Sequence, residues 1–564
     1  MLGLRATFRA RTWVAAAATL IAMLIATPSA YAHAVLDSST PSNDEVLGRA
    51  PERVVLTFSE PVETAFGSVR VYDGSALRVD DGRTTRPDRT SVAVGVRSGL
   101  PRGTYTVAWR VVSADSHPVS GAFVFHVGKP GAGAAGVVAQ VLDEQAGSQA
   151  VDDAFWVVRF LSLTLILLGV GGAIALAVVL SSEDVQLRRP LWIALAIAAL
   201  LLALVSLAGI GLEGAKATGR GLEAAVRPSL IGDVLDTRFG EAWLLRAVLA
   251  GCLALVAGLA IWRSSRPGRA LAWAAAALGV AIALTPAVSG HARVEGRVAV
   301  ASDWVHVLAA SAWAGGLAFL LLALWGVEPD RWTVASRTVP RFSTVAVVSV
   351  AALLAAGVVN GFLELGSWGG LWETTYGRLL LVKVALVLPG LALGAFNNRF
   401  SVPRLRAGLA SAIERRRFLL STGIELALAV VIVGVTAALV AEPPAKAQLV
   451  AQGAPISRDA FVHPFQVNVV VDPARTGANE IHVYLLNHLT GQPGKVAEVR
   501  VSASLPAAEL GPLRLKAVPA GPGHVVVPAA TFPLAGAWTL RLDIRRGEFD
   551  QRSTQVVVPI RKGT

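Results

Sequence analysis

Eight stretches between residues 154 and 441 constrain this 564-residue chain more than anything else in it, because each is long and apolar enough to cross a bilayer. A spanning helix needs about 20 predominantly apolar residues to traverse a hydrocarbon core of roughly 30 Å. The stretches cover 154–180, 190–212, 242–262, 270–289, 302–325, 341–363, 377–396 and 419–441. The fourth, Ala-rich around Trp273, would also suit a buried soluble helix, but its length and uncharged run favour spanning. Composition agrees: 54% of residues are hydrophobic and 16% charged, against roughly a quarter charged in soluble domains. A single soluble globule is excluded.

The flanks supply an orientation. Residues 1–32 have the three parts of a secretory signal peptide: basic Arg5, Arg9 and Arg11, an apolar run over 13–26, and the cleavage pattern Ala30-Tyr31-Ala32. Cleavage there makes His33 the first residue of the mature chain. A secreted N-terminal segment sets the first span running from outside to inside. The loops then predicted to lie inside carry Arg188, Arg189, Arg263, Arg266, Arg269, Arg331, Arg337, Arg341, Arg399, Arg404, Arg406, Arg415, Arg416 and Arg417. The outer loops carry only Lys216, Arg220, Arg227, Arg238, Arg293 and Arg297. This is the positive-inside bias, and an even number of spans returns the chain to the outside after 441. The net charge of +12 is therefore largely a topology signal. Membrane lipid is the implied partner, and no nucleic acid is.

Either side of the spans the pattern changes from continuous apolar runs to alternation. Residues 33–128 and 445–564 hold short runs rich in Val, Thr, Tyr and Phe, punctuated by Gly, Pro, Asp and Ser. The chain reads as a multi-domain membrane protein. Its N-terminal part is a β-sandwich or barrel (33–128), followed by a linker (129–153). An eight-helix all-α transmembrane bundle (154–441) and a C-terminal β-sandwich (445–564) complete it.

Sulfur is scarce: one Cys, Cys252, and two Met, Met1 and Met23. No disulfide can close within one chain and no CxxC site exists. Cys252 is expected to be a small packing residue of its span. Nitrogen and oxygen donors are left for any metal chemistry. An N-terminal His33 offers an α-amine and an imidazole that together close a chelate ring. Asp115 and His117, two apart in Ser113-Ala114-Asp115-Ser116-His117-Pro118, would share a face on an extended strand. Three nitrogens and a carboxylate suit tetragonal Cu(II). The other reading of the same residues is a loop histidine bonded to Asp115 beside a frayed terminus.

Longer stretches around these residues carry a resemblance. His33-Ala34-Val35-Leu36-Asp37-Ser38-Ser39-Thr40-Pro41, the run 50–62 and the run 103–121 resemble the periplasmic copper-binding protein CopC over most of 33–128. The resemblance implies Cu(II) ligation by His33, Asp115 and His117. It also implies no second, sulfur-ligated copper site here, since no Met remains after cleavage.

In the spans, Ser289-Gly290-His291-Ala292 closes the fourth and Asp303-Trp304-Val305-His306 opens the fifth, with Trp313-Ala314-Gly315-Gly316 beyond. Ionisable groups inside a bundle are costly and usually functional. His291 and His306 thus stand as candidate metal ligands near the outer face, the alternative being hydrogen bonds to helix termini. Arg159, Arg246, Lys383 and Glu425 also fall in or near spans. Those near ends would snorkel, while Lys383 and Glu425 are candidates for a structural pair. Residues 154–441, most clearly after 285, resemble the inner-membrane copper protein CopD, which implies copper transfer through the membrane. The runs 519–527 and 536–540 resemble small extracytoplasmic YtkA-like domains. The histidines of that last domain, His463, His482, His488 and His524, give no clear site, since His482 and His488 share a face only on an uninterrupted strand.

Walker A, GxSxG, HExxH and DKTG motifs do not occur, so neither an ATP-driven pump nor another enzyme is expected. The expected protein sits in the cytoplasmic (inner) membrane with both β-domains outside. It captures Cu(II) at His33, Asp115 and His117, and passes copper by ligand exchange to His291 and His306, which either move it inward or store it at the outer face, together with other copper-handling envelope proteins. Two other classes remain: a membrane cytochrome with His291 and His306 as haem ligands, and a structural envelope-assembly protein.

Overall fold

The computed structural model describes residues 36–42, 45–58, 61–63, 69–113, 118–128, 148–180, 185–263, 269–325, 333–452, 456–488, 492–494, 496–508, 510–547 and 550–562. The signal segment, His33, Asp115, His117 and most of the expected linker lie outside them.

The N-terminal domain is built of β1 (Leu36–Thr40), β2 (Val46–Leu47), β3 (Arg53–Phe58), β4 (Val62–Glu63), β5 (Val69–Tyr72), β6 (Asp80–Thr85), β7 (Ser91–Val96), β8 (Gly103–Ser113) and β9 (Pro118–Val127). Period-two alternation decides the inner face: Val54, Leu56 and Phe58 of β3 are buried while their neighbours are not. One sheet runs β1-β3-β7-β6 and the other β2-β9-β8-β4, with β5 also on β8. Their inner faces meet in one core, with Leu56, Val92 and Val94 from the first sheet and Val107, Val111 and Phe125 from the second. The sandwich half of the expected "sandwich or barrel" is what forms.

The spanning helices are α1 (Gln149–Val179), α2 (Arg189–Thr218), α3 (Arg238–Trp262), α4 (Arg269–Ser289), α5 (Arg297–Leu324), α6 (Val334–Leu365), α7 (Thr375–Arg406) and α8 (Ala412–Leu439). Each expected span is present, and several helices outrun their apolar stretch. The first starts at Gln149, the second continues to Thr218, the sixth begins before Arg337 and the seventh runs on past Asn397 to Arg406. Backbone i→i−4 bonds need no apolar partner, so a helix continues into polar flanks until a cap stops it. Arg337, Arg341, Arg399, Arg404 and Arg406 are helical for that reason, not loop residues. The start of α8 shows such a cap: Ser411 accepts from the Glu414 N–H while Glu414 reaches back to the Ser411 N–H.

Glycines fix the closest approach in the bundle. A Cβ on Gly315 of α5 would lie 1.8 Å from the Leu167 carbonyl oxygen of α1, and one on Gly171 of α1 2.1 Å from the Ser311 oxygen. Only side chains without a Cβ allow two backbones this near. The contact coincides with a π-helical segment, Ser311–Gly315, inside α5. The Trp313–Gly316 motif is thus a helix-contact device.

Three sequence expectations fail here, the first two through the rotation of helices. Cys252 is exposed on α3, on the apolar outer surface with Leu255, and packs no core. Lys383 and Glu425 do not pair. Glu425 accepts a 2.6 Å hydrogen bond from Asn397 Nδ2, and Lys383 has Asp303 as its charged neighbour. Nor does Arg246 snorkel. It is buried, donates to Thr285 Oγ1 at 2.8 Å and Ser162 Oγ at 3.1 Å, and lies over the Trp243 ring.

The C-terminal domain has β10 (Ile456–Val462), β11 (Phe465–Asp472), β12 (Gly477–Asn487), β13 (Glu498–Leu505), β14 (Leu510–Leu515), β15 (Val518–Gly521), β16 (His524–Phe532), β17 (Gly536–Arg545) and β18 (Gln551–Ile560). Sheets β10-β11-β12-β16-β15 and β14-β13-β17-β18 close over Trp538, Phe532, Val469 and Ile481. This is the expected second sandwich.

Both β-domains are tied to the same end of the bundle. Arg110 of β8 donates to the Lys216 and Ala217 carbonyls at 2.7 and 2.8 Å, in the last turn of α2, where carbonyls lack an i+4 partner. A short helix, Ala445–Gln452, follows α8. Its Lys446 forms an ion pair with Glu295 and donates to the Leu363 carbonyl at 3.1 Å. Arg475 of the C-terminal domain in turn donates to the Leu449 carbonyl at 2.7 Å. Successive helices alternate direction, so the end of α2, the α4–α5 turn and the end of α6 share one side.

Candidate metal centre

The bundle end that carries the β-domains also carries His291 and His306. His291 lies in the turn after α4, just before the short helix Ala292–Glu295. His306 lies nine residues into α5, which begins at Arg297, about 13 Å along the axis at 1.5 Å per residue. The two histidines are on consecutive helices joined by a short turn, as expected, but His306 lies deeper than a helix end because α5 begins at Arg297, before its apolar stretch.

Around His306 the packing selects one nitrogen. The ring bonds to the Leu353 backbone of α6, and its Nδ1 is buried with no hydrogen-bond partner. An imidazole whose other nitrogen is committed to a carbonyl keeps its lone pair on the remaining one. Here that nitrogen is Nδ1. Gly357 of α6 borders the ring: a Cβ there would stand 3.4 Å from His306 Cε1, in van der Waals contact with it. Both ring nitrogens of His291 are also buried.

Three helices each turn a pair of residues to the same region, at spacings that place both members on one helical stripe. On α5 the pair is Asp303 and His306, three apart. On α6 it is Gly357 and Glu364, and on α7 Tyr376 and Lys383, each seven apart. Asp303 is in electrostatic reach of Lys383 and His291. Glu364 is within reach of His291, Glu295, Lys446 and Asp303, and its Oε2 is buried without a partner. Tyr376 is in electrostatic reach of Glu364, Asp303 and Glu295. Sequence reasoning named the two histidines and missed Asp303, Glu364 and Tyr376 as their neighbours. The signal was there: Asp303 stands one turn before His306, but Glu364 and Tyr376 need the helix packing. Among the described residues, no three His, Cys, Asp or Glu side chains converge tightly enough to hold a metal ion. The arrangement is a file of separate donors rather than a closed cage.

His33, Asp115 and His117 fall outside the described residues, but the frame around the last two is visible. β8 and β9 form an antiparallel hairpin with Val112 opposite Pro118, so residues 114–117 connect its strands. Arg110, which holds β8 to the end of α2, precedes that connection by four residues at Ala114. In the C-terminal domain β12 ends at Asn487, so His482 and His488 do not share a strand face. His488 bonds the Pro464 carbonyl through Nδ1 at 2.8 Å with the His463 ring 5.4 Å away.

Comparison with known proteins agrees with this layout segment by segment. The CopC domain matches residues 36–128, the N-terminal domain of copper resistance protein D-like proteins matches 150–300, and copper resistance protein D matches 336–439. The copper transport protein CutJ of Bacillus subtilis (strain 168) is 32% identical over 418 residues, covering 72% of this chain and 74% of CutJ. Copper resistance protein C of Escherichia coli is 35% identical over 108 residues, 18% of this chain and 84% of that protein. The inner membrane protein YebZ of Escherichia coli (strain K12) is 30% identical over 191 residues, 33% of this chain and 63% of YebZ.

Proposed function

Because this chain belongs to the CopC/CopD copper-resistance family and joins a CopC domain to a CopD-like bundle, we propose that it captures Cu(II) outside the cytoplasmic membrane and passes copper inward through the bundle. The observation that carries the reading is the buried, unpartnered Nδ1 of His306 at the bundle end to which the N-terminal domain is anchored by Arg110.

The ion is cargo, and each step is an exchange of ligands. Removal of residues 1–32 exposes the His33 amine, which with its imidazole, Asp115 and His117 supplies three nitrogens and one oxygen. Cu(II) heads the affinity order for such donors. The Arg110 bonds hold β8, the strand that precedes Asp115 and His117 in sequence, to the end of α2. His291 is the next donor, and His306 the deeper one. A cation leaving water for an apolar bundle needs compensating charge. Asp303, Glu364 and Glu295 supply it, while Lys383 and Lys446 hold those carboxylates when no ion is present. The separated donors suit transit, since an ion bound too well at one point would not move on. No step forms or breaks a covalent bond of a substrate, so the protein acts as a carrier. In this reading the basic loops face the cytoplasm and both β-domains face outward.

The capture step has a direct test. One residue added before His33 in the processed protein breaks the amine–imidazole chelate. Titration of the full chain with Cu(II), followed by electron paramagnetic resonance, should show a changed spectrum and a large loss of affinity. An unchanged spectrum and affinity would remove the N-terminal site from the account. A Soret band in the purified protein would instead favour the cytochrome reading.

A further inference from the structure

The outer face of the C-terminal domain carries a second constellation of metal-binding groups, and no step of the transfer uses it. On β12, Glu480, His482 and Tyr484 alternate outward while Ile481, Val483 and Leu485 fill the core. β16 lies alongside with His524 opposite Tyr484 and Val526 opposite His482, which puts the two imidazoles on one diagonal of the same face. His482 Nδ1 and His524 Nε2 are 3.1 Å apart. Their rings are nearly parallel, 18° between planes, and the Tyr484 ring stacks on His524 at 4.4 Å. On the far side of His482, Glu480 Oε1 stands 3.7 Å from Nε2.

We propose that His482 Nδ1 and His524 Nε2 are paired ligands of a divalent transition-metal ion, with Glu480 as the carboxylate that orients His482. Two imidazole nitrogens bound at about 2.0–2.1 Å on adjacent positions of a square-planar or tetrahedral ion stand roughly 2.8–3.4 Å apart. The observed separation falls in that interval without movement of either strand. The ion replaces the one proton that the two nitrogens share. Metal-bound histidines regularly donate their other N–H to a carboxylate, which fixes the tautomer, and Glu480 is one short side-chain rotation from doing so. Burial and the neighbouring His482 hold the His524 imidazole below its ordinary pKa, against the opposing pull of Glu480.

Two protein ligands leave coordination positions open. His524 also borders a cleft of ≈ 390 Å³ flanked by Pro493, Val496, Glu498 and Pro522, room for water or a ligand from a docked partner. The site is therefore built for exchange and not for storage. That the ion is Cu(II), from among those that favour imidazole, rests on the copper reading above. The pairing of the histidines does not.

The test uses the full chain in detergent, titrated with Cu(II) as the free probe ion. His482→Ala and His524→Ala should each lower the bound Cu(II) by one equivalent and remove one component of the paramagnetic resonance spectrum. Glu480→Gln should keep the stoichiometry and weaken that component's affinity about 10-fold or more. Footprinting the unmutated chain with a histidine-acylating reagent provides a second readout: Cu(II) should protect His482 and His524 together. In a His117→Ala chain this component persists, so failure at the N-terminal site and failure here are read separately. Unchanged stoichiometry in both histidine variants, or no protection of either ring, overturns the proposal.

Discussion

Gly315→Ala is the most demanding single change in the bundle, and the structure sets its size. The new Cβ would meet the Leu167 carbonyl oxygen at 1.8 Å and its carbon at 2.6 Å, both backbone atoms of α1. An ordinary non-bonded C···O contact is about 3.3–3.6 Å, so the two helices must part by about 1.5 Å. A gap approaching 1 Å already forfeits up to about half of the dispersion energy of the contacts along it. Overpacking usually costs about 1–3 kcal/mol. Because the obstacles are backbone and cannot rotate away, this change belongs at the upper end, near 3 kcal/mol. Gly258→Ala on α3 is the matched control, since nothing lies within 4 Å of its added Cβ. There the better helix propensity of Ala should be neutral to stabilising by up to about 1 kcal/mol. Thermal unfolding of the two variants in the same detergent, followed by helical circular dichroism, makes the comparison. At about 2–4 °C per kcal/mol, Gly315→Ala should unfold some 6–12 °C below the parent. Equal midpoints for the two variants would refute the close-approach argument, and with it the meaning given to the Trp313–Gly316 motif.

Other consequences follow from the same contacts. Arg110→Ala removes two charge-assisted bonds to α2, each worth about 1.5–3 kcal/mol, and should raise the rate at which protease separates the N-terminal domain from the bundle. An unchanged cleavage rate would deny the anchor. Asp80 is buried in the N-terminal domain and accepts from the Val71 N–H at 2.9 Å and from Arg78 Nε. Burial alone would raise its pKa, but the Arg78 bond, the Val71 N–H, the Arg78 charge and the Gly82 N–H outweigh it and hold it low. A depressed folded-state pKa means stability present above the ordinary aspartate value near 4 and lost as pH falls below it. Asp80→Asn should cost about 2–3 kcal/mol at neutral pH and flatten the acid limb of that domain's unfolding curve.

What could be read from the chain before its structure depended on the range of the signal. The eight spans are contiguous apolar runs, so they were legible, and the two sandwiches were legible from period-two alternation. His291 and His306 stood out because a polar ring in an apolar run is conspicuous on its own. Their neighbours were not legible. Glu364 and Tyr376 reach the same region only because α6 and α7 are rotated to face α5, and no local pattern encodes that rotation. The same blindness set Lys383 beside Glu425 and tucked Cys252 into a core. His482 finds its partner in His524 across a strand register 42 residues away in sequence, whereas spacing along one strand had suggested comparison with His488. Helix ends overran their apolar stretches because hydropathy marks the membrane and caps mark the helix.

The central claim is that copper taken up outside passes His306. Radiocopper accumulation in cells making the intact chain, His117→Ala or His306→Ala at equal membrane abundance tests it most directly. The account predicts rapid accumulation with the intact chain and loss of that gain in both variants, with His306→Ala still binding Cu(II) at its N-terminal domain. Accumulation through His306→Ala at the rate of the intact chain would contradict it.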